Sequence, residues 1–359
     1  FRKAFVCSGP TLYKHGVTKK VTDVLEQAGC PYEVYTNIKE NPTIENVQDG
    51  VKAYKASGAD FIVALGGGSP MDTAKAIGII INNPEFEDVR SLEGVAPTKN
   101  PSVPIIAVPT TAGTASEITI NYVITDTEKR RKFVCVDTHD IPIVAVVDPD
   151  MMSSMPKGLT AATGMDALTH AIEAALSKNA SPITDKDAYW AMTAIVQNLP
   201  RAVDNGKDEE ARTMMAYAEN VAGMAFSNAG LGMVHAMAHA LGGHYNLPHG
   251  VCNAVLLPYV LAFNSRSPVC RERFMTIAAA MGLQGTFTPD TAAPAVIQFV
   301  RQLSAGVGIP ANLAQLNKVN PADFAALAEL ALHDTCMSTN QITPTRDEVV
   351  AVYTAAFRG

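Results

Sequence analysis

Two segments of this chain carry side chains able to bind a cation at helical spacing. The first is Ala161-Ala162-Thr163-Gly164-Met165-Asp166-Ala167-Leu168-Thr169-His170. The second is His235-Ala236-Met237-Ala238-His239, followed by Pro248-His249-Gly250. Asp166 and His170, like His235 and His239, are four residues apart, and a helix places such pairs on one face, one turn apart. A lone histidine on a helix is more often packed or capping. Here a carboxylate and four of the chain's eight histidines recur in Gly- and Ala-rich surroundings. Asp and neutral His together suit Fe(II), Zn(II) or Mn(II). Spacing alone leaves open which histidines of the second segment are ligands, since His239 competes with His235 and His244 with His249.

A second kind of chemistry is written into Phe61-Ile62-Val63-Ala64-Leu65-Gly66-Gly67-Gly68-Ser69-Pro70-Met71-Asp72. A strand-forming run passes through three glycines into a helix, for which Ser69 is a good N-cap and Pro70 a good first residue. Glycines let the backbone approach a ligand, and free N–H groups at a helix start attract an anion such as a pyrophosphate. This is not G-x-G-x-x-G, and glycine triplets also occur as plain turns. A second small-residue loop, Pro109 to Glu117, again follows a strand, and ligands gather at the carboxyl ends of parallel strands.

The elements that position these groups divide the chain. Up to residue 153 strand and helix alternate: Ala4 to Cys7, Tyr32 to Tyr35, Phe61 to Leu65, Pro104 to Pro109, Ile118 to Ile124, Phe133 to Val136 and Ile143 to Val147 read as strands. The β-α-β-α-β order predicts a Rossmann-like parallel sheet covered by helices. From residue 154 to 359 apolar residues recur at helical spacing, as in Met165/Leu168/Ile172, which predicts an all-α domain. Neither repeats nor low-complexity segments are seen.

Composition narrows the function. With 359 residues the chain can fill two cores, and 47% hydrophobic with 18% charged residues is ordinary for a globular protein. A net charge of −7 argues against nucleic acid as a partner. The one basic run, Lys129-Arg130-Arg131-Lys132, reads as a solvated hairpin tip. The longest apolar runs are strand-sized, so no membrane span is expected. Six scattered cysteines without a C-x-x-C predict reduced, mostly buried thiols and a cytoplasmic location. No signal-peptide pattern is seen. Phe1 lies in a strand-like run without an initiator Met, so the expectation is that native residues precede it.

These segments, with Asp88 to Gly94, Asn121 to Asp126 and Lys132 to Asp137, resemble the iron-dependent (group III) alcohol dehydrogenase family, with its dehydroquinate-synthase-like architecture. The similarity runs through essentially the whole chain and is closest to the subgroup acting on lactaldehyde and 1,2-propanediol. It implies an NAD(H)- or NADP(H)-linked enzyme interconverting a small alcohol or diol and its aldehyde, working as a homodimer or higher homo-oligomer. It further implies a ferrous ion, with Zn(II) or Mn(II) as alternatives, on Asp166, His170, His235 and His249. His239 would then lie near the nicotinamide and substrate, as a proton shuttle. Around the dinucleotide it implies Asn41, Gly66, Gly67, Gly68, Ser69, Asp72, Thr110, Thr111, Thr114 and Lys132. Near the substrate it implies Asn121, Val123, Phe226, Leu231 and Cys336, although Phe226 and Leu231 at helical spacing also fit a plain core.

Three departures stand out. Gly9 replaces an Asp that would accept the ribose 2′-hydroxyl and repel a 2′-phosphate, which predicts that NADP(H) is accepted. The family's Asn-Pro-Arg reads Asn340-Gln341-Ile342, and Gly243-His244 replaces Ala-Phe. A dehydroquinate-synthase-like lyase is the alternative reading on the same architecture. The scarcity of Lys and Arg near the metal-capable segments weighs against its polyanionic substrate.

Overall fold

The computed structural model describes residues 1–129 and 131–359; Arg130, in the basic run, lies outside the described residues. The chain forms two compact units. One comprises Phe1–Thr111 and Ala115–Met152, the other Ala112–Thr114 and Ser153–Gly359.

The first unit follows the alternation in the sequence: β1 (Ala4–Ser8), α1 (Pro10–Lys14), α2 (Val17–Gln27), β2 (Tyr32–Tyr35), α3 (Ile44–Ser57), β3 (Phe61–Gly66) and α4 (Gly68–Asn82). Then come β4 (Gly94–Val95), β5 (Ile105–Pro109), β6 (Asn121–Asp126), β7 (Arg131–Val136), β8 (Val144–Ala145) and α5 (Pro149–Met152). Five strands build a parallel sheet in the order β2-β1-β3-β5-β8. Every residue of β3 is buried, as a parallel strand covered on both faces requires. The strand period of two sends Phe5, Cys7, Ile62 and Ala64 into one core, with Val47, Val51 and Ile77 from α3 and α4. Ala4, Val6, Phe61 and Val63 enter the other, against Val17, Val21 and Leu25 of α2. Ser8 pairs with Leu65, and Gly66 with Pro109, so β1, β3 and β5 end together on one rim of the sheet.

Two of the expected strands belong elsewhere. β6 and β7 form an antiparallel hairpin that joins β4 in a separate three-stranded sheet. A short tip lets them pair locally, without the crossover a parallel neighbour needs. The strand starts at Asn121 rather than Ile118, because the preceding loop turns through Ala115 at φ 52°. Ile143 and Val146 extend β8 only by single hydrogen bonds to Ile105 and Ala107, and both remain well exposed at this sheet edge.

The second unit is helical: α6 (Lys157–Leu176), α7 (Pro182–Asp204), α8 (Glu209–Ala229), α9 (Met233–Tyr245), α10 (His249–Asn264), α11 (Pro268–Ala280), α12 (Pro289–Gly306), α13 (Phe324–Leu332) and α14 (Arg346–Arg358). Boundaries follow capping chemistry; at α7, Ser181 and Thr184 cap each other's amides and Pro182 opens the helix. Helix α6 is buried continuously from Thr160 to Leu176 and packs against α7, α8 and α10. A helix apolar all round belongs in a core. The polar residues buried along it are therefore the ones that require a reason.

Candidate metal centre and dinucleotide cradle

Asp166, His170 and Glu173 supply that reason, recurring along α6 at helical spacing. Helix α9 contributes His235 and His239, and α10 begins at His249. Ligand-capable atoms of Asp166, His170 and His235 lie within 4.8 Å of one another. Asp166 Oδ1 stands 3.6 Å from Nε2 of His235 and 3.6 Å from Nε2 of His249. The His170 ring stacks on His235 with centroids 4.6 Å apart, and His239 stacks on His249 at 5.2 Å. The structure thus brings together one carboxylate and four imidazoles from three helices. Asp166, His170 and His235 are sealed in, whereas His249 keeps 28% of its side-chain exposure and marks the wet side. Gly250 permits this approach, since a Cβ there would lie 2.3 Å from the Ala162 carbonyl oxygen of α6.

The donor set fits a divalent first-row cation. Nδ1 of His170 is buried, with an interaction from the Gly113 backbone but no well-formed hydrogen bond among the described residues. Burial pushes the Asp166 carboxyl up, but His249, His170 and His235 outweigh it and hold it below the usual carboxylate range. Burial pulls the His170 imidazole down to about 3, against the attraction of Asp166. His235 is pulled down by burial too, yet Asp166 and Glu173 prevail and raise it to about 9. An ionised carboxylate in so dry a place calls for positive charge.

Several groups that secure this cluster were not singled out from the sequence. Glu173 Oε2 accepts a hydrogen bond from Nδ1 of His235 at 2.5 Å, and its Oε1 accepts from the Val234 amide at 2.7 Å. The acidic group thereby orients the imidazole and caps α9 at once, leaving Nε2 toward Asp166. Nδ2 of Asn253 donates to Asp166 Oδ1 at 2.6 Å and lies 3.0 and 3.1 Å from Nε2 of His235 and His249. Both residues were within reach of spacing arguments: Glu173 follows His170 by three positions and Asn253 follows His249 by four. Asp334, 2.9 Å from Nδ1 of His239, has no such local signal. Asn340, in the segment that departs from the family's Asn-Pro-Arg, accepts the amide of Met233 and exchanges hydrogen bonds with Asn264, anchoring the start of α9.

Of the residues expected near substrate, Phe226 stacks on His170 at 4.3 Å and Cys336 adjoins His239 and Asp334. Leu231 is buried just before α9, its carbonyl held by Thr339. Asn121 and Val123 sit on the half-buried face of β6 in the α/β unit. His244 is exposed, 3.6 Å from Asp323.

At the rim of the parallel sheet the glycine-rich turn differs from expectation. Helix α4 begins at Gly68 with Gly67 as N-cap, so Ser69 lies inside the first turn and caps nothing. The glycines allow the earlier start, and Pro70 in the first turn forfeits no intrahelical bond, because those N–H groups have no partner. Asp72 is accordingly not part of a cap. It is buried, accepts a bond from Ser116, and is raised by burial to about 7 despite Lys75. Gly66 has φ 149°, and a Cβ there would meet Pro70 Cγ at 2.5 Å. A Cβ on Gly67 would lie 3.0 Å from Thr111 Oγ1, a buried hydroxyl without a partner among the described residues. Helix amides and an unused hydroxyl beside bare backbone fit a phosphate. Thr110 donates its amide to Gly66, and Thr114 falls in the short stretch grouped with the helical unit. Asn41, at φ 56°, accepts from Lys132 Nζ at 2.7 Å, so the structure joins two more of the expected residues. Gly9 follows β1 as the N-cap of α1, and a Cβ there would meet nothing within 4 Å.

A parallel-sheet unit whose glycine-rich turn fits a phosphate, and a helical unit with clustered metal-capable groups, suit a metal- and dinucleotide-dependent enzyme. Residues 1–149 match the family described as iron-containing alcohol dehydrogenase, and residues 160–357 its C-terminal part. The chain belongs to the iron-containing alcohol dehydrogenase family and interconverts alcohols and aldehydes. It is 50% identical over 358 residues to lactaldehyde reductase of Escherichia coli K12, covering 99% of this chain and 92% of that protein. It matches the crystal structure of a 1,3-propanediol oxidoreductase with TM-score 0.94 and 43% identity, over 99% and 92% of the two chains. Sulfoacetaldehyde reductase from Bifidobacterium kashiwanohense, solved with NAD+, matches at TM-score 0.84 and 29% identity, over 99% and 90%. These oxidoreductase relatives set the lyase alternative aside. Among the described residues, no helix is long and apolar enough to cross a membrane.

Proposed function

We propose that the enzyme reduces a small neutral aldehyde, and oxidises the matching alcohol or diol, of the lactaldehyde/1,2-propanediol type, using either NAD(H) or NADP(H). Residues 1–153 serve as the dinucleotide domain and residues 154–359 as the catalytic domain. Asp166, His170, His235 and His249 hold the ferrous ion. The observation that carries this reading is the convergence of those four side chains on one partly open cluster walled by Phe226. None of the side chains described around it is Lys or Arg, which suits an uncharged substrate. The 50% identity to lactaldehyde reductase supports the substrate class.

When bound, the cation supplies Lewis acidity at the substrate oxygen while the dinucleotide accepts or returns the hydride. The chain's own residues do the rest. Glu173 holds the His235 ring by Nδ1, Phe226 keeps water from one face of His170, and the start of α4 with Thr111 receives the pyrophosphate. His239 moves the proton between the substrate oxygen and solvent. The open space at Gly9 leaves room for a 2′-phosphate. Six free cysteines favour a reducing cytoplasm, and family resemblance favours a homodimer or larger homo-oligomer.

The test is metal analysis of protein purified without air, followed by NADH and NADPH turnover with lactaldehyde, glycolaldehyde and butyraldehyde, and oxidation of 1,3-propanediol. His235→Ala and His249→Ala should lose metal and activity together. His239→Ala should lose rate and keep its metal. Equal metal loss in all three would show that the roles are wrongly divided.

A further inference from the structure

Helix α9 carries two imidazoles one turn apart, and each has its Nδ1 against a carboxylate from a different part of the helical unit. For His235 the carboxylate is Glu173 of α6; for His239 it is Asp334, in the segment after α13. We infer that Asp334 is a positioning residue for the reaction, holding His239 as the Nδ1–H tautomer so that Nε2 can take the substrate proton. This rests on the reading of His239 as the proton carrier.

The geometry carries the inference. Oδ2 of Asp334 lies 2.9 Å from Nδ1 of His239, and both side chains are only 8% exposed. Oδ1 is occupied separately, accepting the Cys336 amide at 2.8 Å, so the carboxylate is clamped from both ends. Burial pushes the Asp334 carboxyl up, but His239 and the Cys336 amide overcome this and keep it below the usual range. An ionised carboxylate only accepts hydrogen bonds, so the shared proton belongs to Nδ1 of the imidazole. On the ring face, His239 stacks against His249 with an interplanar angle of 15°. Bond and stack together restrict rotation about both side-chain torsions. The Cys336 thiol beside the pair is pushed well up by burial and by Asp334, so it stays neutral and does not compete for the imidazole proton.

The chemical step balances on these groups. In alcohol oxidation the C–H electron pair leaves as hydride to the oxidised dinucleotide, and the O–H proton passes to Nε2 of His239. The imidazolium so formed faces the Asp334 carboxylate until Nε2 releases the proton to solvent. Aldehyde reduction runs the same transfers in reverse. Asp334 never changes protonation; it fixes tautomer and orientation and stabilises the charged ring, as a carboxylate behind a catalytic histidine does in general.

Asp334→Asn preserves the size of the side chain and an oxygen for the Cys336 amide, so it tests charge and tautomer rather than folding. In the metal-loaded enzyme we expect kcat to fall about 10- to 100-fold, the usual range for an outer partner of a functional histidine. KM for the aldehyde should stay within about threefold, and metal per chain should be unchanged. In a double-mutant cycle, Asp334→Asn should cost nothing further on a His239→Ala background. In the diamagnetic Zn(II)-loaded protein labelled with 15N-histidine, the His239 signals should show Nδ1–H in wild type and lose that pattern in Asp334→Asn. An unchanged tautomer, or losses that multiply in the double variant, would overturn the inference. Wild-type kcat in His239→Ala would instead sink the reading of His239 beneath it, whatever the spectrum shows.

Discussion

Replacing Glu173 by Gln would test whether the carboxylate behind His235 governs retention of the cation. The side chains of His235 and Glu173 are 1% and 4% exposed, and Nδ1 and Oε2 are 2.5 Å apart. A hydrogen bond to a charged partner contributes about 1.5–3 kcal/mol, roughly twice a neutral one. Gln keeps an oxygen for the Val234 amide, now at 2.7 Å, so the start of α9 stays capped. It removes the charge and can present an NH2 group to Nδ1, favouring the tautomer whose Nε2 cannot ligate. If about 1.4–2.7 kcal/mol of that interaction is lost, metal affinity falls about 10- to 100-fold, which agrees with outer-shell substitutions generally. Chelator competition for Zn(II) or Fe(II), with metal per chain by mass spectrometry, measures the affinity directly. Thermal melting of the metal-free variant separates affinity from folding. Affinity within twofold of wild type would refute the argument. So would a loss that vanishes once the destabilisation of the metal-free protein is subtracted.

Other changes probe the remaining parts. Gly9→Asp should shift the kcat/KM ratio toward NADH by about tenfold or more, because an acidic group there repels a 2′-phosphate; an unchanged ratio would count against the role of Gly9. Gly67→Val should weaken NADH binding about tenfold, followed by cofactor fluorescence, since its Cβ begins 3.0 Å from Thr111 Oγ1; metal content should not move. Burial raises Asp140 to about 7 in spite of Lys75 at 3.6 Å. Its unfolded value is near 3.9, so the folded chain binds more protons between about pH 4 and 7. Stability from this group is present below that window and declines as pH rises through it. Urea melts across the window should therefore show stability falling less, or rising more, with pH in Asp140→Asn than in wild type, and identical slopes would contradict the assignment.

What could be read without coordinates was governed by local periodicity. The α/β and helical halves followed from alternation and 3.6-residue spacing. The same spacing pointed at Asp166 and His170, and at His235 and His239, because one turn of helix fixes which side chains share a face. The β6 and β7 strands and a hairpin tip between them are legible in the sequence, but their separate three-stranded sheet is not, because sheet membership depends on pairing, which period-two patterns do not encode. The start of α4 was misplaced because Ser-Pro outweighed glycines as a start signal, although the backbone freedom of Gly67 and Gly68 lets the helix begin earlier. Asp334 and Asn340 were beyond spacing arguments. Each reaches α9 from about a hundred residues away, and only tertiary folding brings them there.

All four side chains proposed to hold the cation lie between residues 166 and 249, on α6, α9 and α10 of the helical unit. On a ribosome, the parallel sheet is complete at Ala145, before any of them emerges. Domains fold in the order of synthesis, so the α/β unit can form without metal. Asn340, which braces the start of α9, is synthesised later still. Full assembly of the cluster therefore draws on residues spread through nearly the whole helical unit.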